Sequence, residues 1–585
     1  MPNRTFGWVQ NPSLFENLKR TVQVFIPGSE NYNYLVRVLT DYSLIKDRKL
    51  ADQLLAKLQA QNIRLTYMEL VGTGSKKRSE ALCDALVQAS ISDQGGRKGY
   101  IDNWSADGFV RWAECLGFIA YDSSSDSFSL TDLGRAFGTS NTADGYMNNE
   151  PLMEGLLSYP PVSRVLDILS VEPGRGYSKF EIGGQLGFSG ENGFTSLPHK
   201  LVMQQLAMEA DESYIKKIKS DREGSSDKYA RMICGWLSKV GLVKNSPLVI
   251  FNENLNKEIK LTHAFSITDR GLQARSRIKG MSKHPKIKQH VSWYMLATRA
   301  KNVLRLRTRR ALMINFLRNR GEVGLTKVKE FLDEKGFIYS EKVIMKDLRG
   351  INNCGLALEF RVEGEATFVK LIASIDEIII PNDAKDPIEI DAELEKLKET
   401  ALEKLPNVDP EFVELIEISR DKRQSEVFEM KVAEVFDREY GLKSIHLGGA
   451  SKPDGLGFFE SDDDNFGIIF DTKAYKGGFS LSASEKDKMV RYITENQTRD
   501  AAINPTKWWE DFPESIQNFN FLFVSSFFGN SIKAGLTNIS GRTNTNGGAL
   551  GVEQLLIGAQ MMKTGEIKLE DFPSYLKNDL VSFNS

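Results

Sequence analysis

Between Ser451 and Tyr475 the chain reads SKPDGLGFFESDDDNFGIIFDTKAY, with Asp454 after Pro453 and with Asp471 and Lys473 closing an apolar run. That run, FGIIFDTK, has the length and the β-branched and aromatic content of a buried strand. Side chains two apart on a strand share a face, so Asp471 and Lys473 point one way and Thr472 the other. The 17 positions from Asp454 to Asp471 accommodate a strand, a turn at Ser461–Asn465 and a return strand. Such a hairpin sets Asp454 beside Asp471, with Lys473 next to both. Two carboxylates suit Mg²⁺, a hard cation that keeps several waters and is held by one or two carboxylates plus substrate phosphate. The ion would supply a hydroxide-like nucleophile and neutralise charge on the phosphorus oxygens. The lysine would orient the water and stabilise the same charge. The chemistry is Mg²⁺-dependent phosphodiester hydrolysis. A surface turn followed by a strand ending in a solvated ion pair would leave the same spacing.

Asp454 with Asp471-x-Lys473 has the PD-(D/E)-x-K form found in many nucleases, and the flanking elements suit it. The helical stretches DAELEKLKETALEKL, DPEFVELIEISR and SEVFEMKVAEVFDREYG precede the strands, the mixed order of an α/β core. Glu429 on the last of these helices reads as a structural acid, or as a lesser candidate for a metal-linked carboxylate or a lysine partner. Upstream, PNDAKDPIEI (381–390) carries two prolines and four charges and little apolar content, the composition of a linker.

Length and composition bound the rest. At 585 residues the chain holds about four domains of ~150 residues each. With 41% apolar and 26% charged residues it can bury several cores. A net charge of −2 excludes a wholly basic nucleic-acid coat, so any DNA binding rests on locally segregated charge. Cys83, Cys115, Cys234 and Cys354 have neither disulfide nor zinc spacing and read as reduced core thiols. The first ten residues lack the apolar core of a signal peptide, and no apolar run approaches the ~18 residues of a membrane span. A soluble cytoplasmic protein without membrane contact is the expectation.

Residues 1–150 open with the arm RTFGWVQNP and continue with helical patterns. In YMELVGTGSKKRSEALCDALVQASI a Gly-rich turn leads into an amphipathic helix with Lys76, Lys77 and Arg78 near its start. That is the grammar of helix–turn–helix, although a helical hairpin with a solvated basic start fits as well. FIAYDSSSDSFSLTDLG reads as a wing hairpin. Residues 151–285 repeat the scheme: Ser225, Ser226 or Asp227 can cap a helix bearing Lys228 and Arg231, and FSITDRGLQAR answers SLTDLGRAF. Two related winged-helix units are expected, each ending in a strand and a T-D-x-G turn. Residues 286–380 form a third, helical unit. It opens on a basic run, Lys286, Lys288, Arg299, Lys301, Arg305, Arg307, Arg309 and Arg310, in part on a packed helix and in part free to meet phosphates or an acidic neighbour.

Particular stretches resemble one family throughout. VFEMKVAEVF, YGLKSIHLGGASKPDG, FGIIFDTKAYKGGFSL, RYITENQTRDAAINPTKWW and FLFVSSFFGN are similar to the cleavage domain of the FokI-like type IIS restriction endonucleases, with Ala450 where that family has Ser. RTFGWVQNP, YMELVGTG, GYIDNWSADGF, LGFSGENGFTSLP and EGSSDKYARMICGWL follow the family's recognition half in order. The resemblance implies a multidomain α+β chain: winged-helix/helix-turn-helix recognition subdomains at 1–150 and 151–285, a third subdomain at 286–380, a linker at 381–390 and a PD-(D/E)xK restriction-endonuclease-like domain at 391–585. It implies that Asp454 and Asp471 hold Mg²⁺, that Lys473 is catalytic, and that Gln10, Asn11, Arg78, Trp104, Glu223, Lys228 and Arg231 contact DNA. These types make sense: Arg and Lys donate to guanine, Glu accepts from cytosine, and Asn or Gln pairs with adenine. Trp104 could equally be core, and Glu223 a helix-start acid. The family's 5′-GGATG site is the leading expectation, but Ser220-Asp221-Arg222 stands where the family has Asn-Asn-Trp, which puts one or more bases in doubt.

One PD…D-x-K set presents one metal centre to one scissile phosphate, so a double-strand break implies two nuclease domains about a two-fold axis. Asp487 and Arg491, four apart on SEKDKMVRYITEN, read alone as an intrahelical pair; the resemblance implies that they pair across a dimer. It further implies cutting at a fixed offset outside the site, a nuclease domain held against the recognition half until DNA and a partner are present, and a cognate DNA methyltransferase. A DNA-binding regulator with an inactive nuclease fold and a structure-specific repair nuclease are the rival readings.

Overall fold

Two threonines show how the N-terminal part is built. Thr131 caps the helix Asp132–Thr139, its oxygen accepting from Gly134 N at 2.9 Å, while its hydroxyl donates back to the carbonyls of Gly117 and Phe118. Thr268 does the same for Asp269–Lys279, accepting from Gly271 N at 3.1 Å and donating to Gly241 and Leu242. The glycine of each T-D-x-G is forced by space: a Cβ at Gly134 would lie 1.9 Å from Phe118 O, and one at Gly271 2.1 Å from Leu242 O. These stretches therefore start helices and do not merely turn the chain, because a hydroxyl after a strand satisfies both the next helix's free N–H and carbonyls of the turn that follows the previous helix.

The computed structural model describes residues 7–583 except 11, 42, 92–99, 144, 221, 299–301, 382–391 and 462–464. Asn11, Asp221, Arg299, Lys301 and all of the linker except Pro381 thus lie outside the described residues. The chain divides into two compact units, one of Met1–Phe188, Lys228–Ser246 and Phe265–Ile388, the other of Ser189–Asp227, Pro247–Ala264 and Glu389–Ser585.

The first unit contains three small three-stranded sheets. The wing pairs Ile119–Asp122 with Ser127–Leu130, Tyr121 facing Phe128. The stretch expected to be one basic helix is broken: Lys76–Lys77 pair with Tyr100–Ile101, and only then do the short helices Arg78–Ala81 and Leu86–Ser90 follow. The two lysines spend their backbone on a ladder, and Lys76 is ion-paired with Asp84. The basic run at 305–310 is less solvated than its composition suggests. Arg309 and Arg310 are buried and both grip Asp347, with Nε to carboxylate distances of 2.6 and 2.9 Å, while Arg307 Nε donates to Ala297 O at 2.9 Å. Planar guanidinium forks bind carboxylate and carbonyl oxygens well enough to be buried, and these are not available to phosphates. All four cysteines are buried free thiols. Among the described residues no helix is long and apolar enough to cross a membrane.

In the second unit a six-stranded sheet carries the C-terminal half. Its strands are β1 (Lys443–His446), β2 (Gly455–Glu460), β3 (Asn465–Lys473), β4 (Phe519–Ser525), β5 (Gly547–Gly551) and β6 (Asp579–Leu580), in that spatial order. β1, β2 and β3 run antiparallel, and β3 to β6 parallel. β3 is buried along nearly its whole length, as a central strand covered on both faces must be. Helix α1 (Ser425–Val435) precedes the sheet, and helix α2 (Ala483–Thr498) packs Met489, Tyr492 and Ile493 with Ile469, Phe521 and Phe523 into one core. The alternate side chain Phe470 meets Phe436 on the opposite face.

A buried acid in the first unit has a measurable consequence. Glu114, on the helix Asn103–Cys115, is 4% exposed, and its Oε2 has no hydrogen-bond partner among the described residues. Burial, opposed only by Arg111, pushes its carboxyl up to about 8. It is therefore neutral in the folded chain, and its stabilising share is full below the ordinary carboxyl range and is lost as pH rises towards 8. Each unit of pKa is worth about 1.4 kcal/mol, so Glu114→Gln should raise stability at pH 8 by roughly a few kcal/mol and change it little near pH 5. Thermal unfolding of the whole chain across that pH range checks it; parallel curves for the two proteins would contradict it.

Candidate active site

The loop between β1 and β2 sets the first acid. It turns through Gly448, Gly449 and Ser451 at φ of 56°, 88° and 65°, all left-handed, which glycine tolerates and serine does not favour. The strained Ser451 is held from below. Asn504 Nδ2 donates to Ser451 O at 2.9 Å and to the buried Glu495 at 3.0 Å, and Trp508 Nε1 donates to the same Glu495 oxygen at 2.7 Å. The chain then enters β2 beside β3 with Gly455 opposite Phe470, which places Asp454 at the open end of the antiparallel pair. Thr472 fixes its carboxylate, donating to Oδ2 from the backbone N–H at 2.6 Å and from the hydroxyl at 3.1 Å.

Asp471 comes from β3, on the face shared with Ile469 and covered by α2, and its side chain is 1% exposed. Its Oδ2 is ion-paired with Lys473. Its Oδ1 lies 3.1 Å from Nζ of Lys488 on α2. Glu485, one turn earlier on that helix, comes within 3.6 Å of Lys473. Burial, reinforced by the neighbouring charges of Asp471 and Glu429, holds the Asp454 carboxyl well above the usual range. For Lys473 burial opposes the charge, but Asp471 and Asp454 outweigh it and keep the ammonium firmly protonated. Asp454, Asp471 and Lys473 thus lie near enough that Asp471 and Lys473 both act on the Asp454 carboxyl. Lys488 was not expected.

Two nearby groups are committed elsewhere. Glu429 Oε2 sits 3.2 Å from Nε2 of the buried His446, whose imidazole burial holds below its ordinary range. Lys452, adjacent to Pro453, bonds both oxygens of Glu209 at 2.9 and 2.7 Å. Among the described residues no cluster of three or more His, Cys, Asp or Glu converges for a metal. Two carboxylates that repel each other and draw two ammoniums nevertheless form a donor set suited to a hard divalent cation, whose remaining ligands are water and phosphate oxygens.

The expected DNA contacts can be placed one by one. Trp104 is 59% exposed at the start of its helix, N-capped by Asp102, so it is not core. Gln10 is half-buried in the N-terminal arm, and Arg78 donates from Nη2 to Ile91 O at 2.8 Å. Lys228 and Arg231 are half-buried on the helix Ser225–Lys239. Glu223 precedes that helix in the second unit, where the buried Asp227 organises the backbone by accepting from Ser196 Oγ (2.5 Å), Leu197 N (3.1 Å) and Gly224 N (2.8 Å). Arg222 does not stand in for a base reader: it is 3% exposed, bonds Gln205 and Tyr214 at 2.8 and 2.7 Å, and is ion-paired with Glu426 on α1. Ser220 is exposed and donates to its own helix at Lys216 O. Asp487 and Arg491 are exposed on α2 but are not paired with each other. Asp487 accepts from Arg542 Nη1 at 2.7 Å, and Arg491 Nε lies 3.5 Å from Glu495.

The profile of the FokI cleavage domain matches residues 391–582. Those of FokI recognition subdomains 1 and 2 match 4–140 and 148–280, and that of the FokI D3 domain matches 296–363. The type II restriction enzyme FokI of Planomicrobium okeanokoites is 44% identical over 99% of both chains. The chain belongs to the FokI family of type II restriction endonucleases. It binds DNA and cleaves it, and the PD…D-x-K end of β2 and β3 lies within the part that matches the cleavage domain. A second type II restriction enzyme, StsI of Streptococcus sanguinis, is 29% identical over all of this chain and 96% of its own. A solved structure of the restriction endonuclease FokI and one of FokI bound to DNA each match with a TM-score of 0.88 over 99% of this chain and all of theirs, at 42% and 43% identity.

The Glu495 network yields a prediction. Glu495→Ala strands Asn504 and the Trp508 indole N–H without their buried acceptor, and leaving such donors unpaired costs about 1–3 kcal/mol. Denaturant unfolding followed by tryptophan fluorescence should show that loss; an unchanged midpoint would contradict the anchoring role of Glu495.

Proposed function

We propose that this FokI-family enzyme is a Mg²⁺-dependent type IIS endonuclease. It would bind a short asymmetric duplex site, with 5′-GGATG as the leading sequence, and hydrolyse phosphodiester bonds at a fixed distance outside it. The observation that carries the proposal is the meeting of Asp454, Asp471 and Lys473 at the end of one antiparallel strand pair. Asp454 and Asp471 would hold the metal, which when bound makes a water nucleophilic and offsets phosphate charge. Thr472 keeps the Asp454 carboxylate turned towards that place. Lys473, its proton secured by two acids, does not act as a general base; it orients the attacking water and stabilises the charge growing on the phosphate.

Recognition would fall to Gln10, Asn11, Arg78, Trp104, Glu223, Lys228 and Arg231. The inward turn of Arg222 supports Glu223 as the reader in its segment. Cleavage of both strands would use two nuclease domains meeting through α2. Asp487 and Arg491 support this because both are exposed, and ion pairs as open as that of Asp487 with Arg542 are worth little and exchange readily. The linker at 381–390, a cytoplasmic location and a cognate methyltransferase belong to the same reading.

Asp471→Asn and Lys473→Ala should each lower the rate of plasmid cleavage by about a hundredfold or more while leaving affinity for a GGATG duplex in metal-free buffer intact. Normal cleavage by Lys473→Ala would sink the mechanism. Trp104→Ala should weaken that affinity by roughly tenfold, measured by gel shift, because an exposed indole at an interface is a common energetic anchor. Equal binding by the variant would remove Trp104 from the interface.

A further inference from the structure

We propose that Lys488 is a tethered cation that competes with the divalent ion for Asp471 and so sets how tightly the nuclease site takes metal. The inference rests on the reading of Asp454 and Asp471 as metal ligands. Asp471 has two carboxylate oxygens, and each is held by a different ammonium: Oδ2 by Lys473 and Oδ1 by Lys488 at 3.1 Å. A divalent ion approaching Asp471 meets an ammonium on either oxygen, and its charge repels both. Lys473 is confined, since it shares the strand with Asp471, is 12% exposed and has Glu485 at 3.6 Å. Lys488 reaches in from the neighbouring helix on a long side chain, is 35% exposed, and lies 5.5 Å from the Tyr492 ring. Of the two it is the one with an open way out.

Competition at one carboxylate follows simple linkage: whatever the Lys488 pair contributes to the metal-free state is subtracted from metal binding. A partly exposed ion pair commands about a three- to tenfold change in an equilibrium constant. A purely structural pair would instead leave metal affinity unchanged, or lower it, when broken. Lys488 would also keep the two carboxylates from remaining uncompensated before the ion arrives.

The test uses the full chain without DNA and Mn²⁺ as the probe in isothermal titration calorimetry. Lys488→Met, which keeps the length of the side chain and removes its charge, should bind Mn²⁺ about three- to tenfold more tightly than the parent. Lys488→Arg should stay near the parent, and Asp471→Asn should abolish binding. Equal or weaker affinity in Lys488→Met, with Asp471→Asn still abolishing binding, overturns the role of Lys488 alone. If Mn²⁺ binding survives Asp471→Asn, or the parent binds none, the assignment of the metal ligands fails and this inference falls with it. Far-ultraviolet circular dichroism separates a misfolded Lys488→Met from a folded one, and Lys488→Gln then repeats the measurement.

Discussion

Two carboxylates forced to face each other out of water dominate this molecule. At an effective dielectric of about 20, unit charges 4 Å apart repel by about 4 kcal/mol, comparable to a sizeable share of a domain's stability. The chain does not relieve this by moving the acids apart. Asp454 is held in place by Thr472 and by the turn through Gly448 and Gly449, and Asp471 by a central strand buried along nearly its whole length. It answers with positive charge, one ammonium on each oxygen of Asp471, and with an Asp454 carboxyl that resists ionisation. A site kept in that condition favours any incoming cation able to satisfy both acids at once.

The surrounding architecture follows from keeping those acids in register. A slip of one residue between β2 and β3 would turn Asp471 to the face of Phe470 and present an aromatic ring where the carboxylate belongs. The parallel pairing of β3 with β4, Asp471 beside Phe523 and Lys473 beside Ser525, and the clasp of Ser525 Oγ on Lys473 O at 2.7 Å make that slip expensive. The Glu495–Asn504–Trp508 network serves the same end from the other side, because it fixes the loop that ends at Asp454. Distant hydrophobic packing and the position of a single carboxylate are here one problem.

What could be read from the chain alone was whatever depends on local period. Alternation along FGIIFDTK put Asp471 and Lys473 on one face, and the spacing to Asp454 left room for a hairpin; both are properties of a few neighbouring residues. Lys488 was invisible because its role depends on which side of α2 packs against the sheet, and α2 has a polar residue at most positions. Which arginines of the basic run pack inside was hidden for the opposite reason. A single acid 37 positions away from Arg310, Asp347, supplies the counter-charge that lets Arg309 and Arg310 go inside. The broken helix at 76–90 is a similar case, since a ladder partner at Tyr100–Ile101 outweighs local helical preference. Trp104 had two readings that only its exposure separates.

Arg222 carries the same argument into recognition. A guanidinium at 3% exposure must recover its lost hydration from neighbours, and it does so with Gln205, the Tyr214 hydroxyl and ring, and Glu426. Burial rather than charge holds its pKa below the usual guanidinium range, yet the group stays ionised at any working pH. Withdrawing it towards a base would leave Glu426 without its counter-ion and open a gap between the helices His199–Met208 and Glu212–Ser220. Where the family's Asn-Asn-Trp ends, Arg222 is thus a buried, fully bonded side chain. Arg222 thereby serves as internal support between those helices, while the half-buried Glu223 follows it on backbone that Asp227 organises.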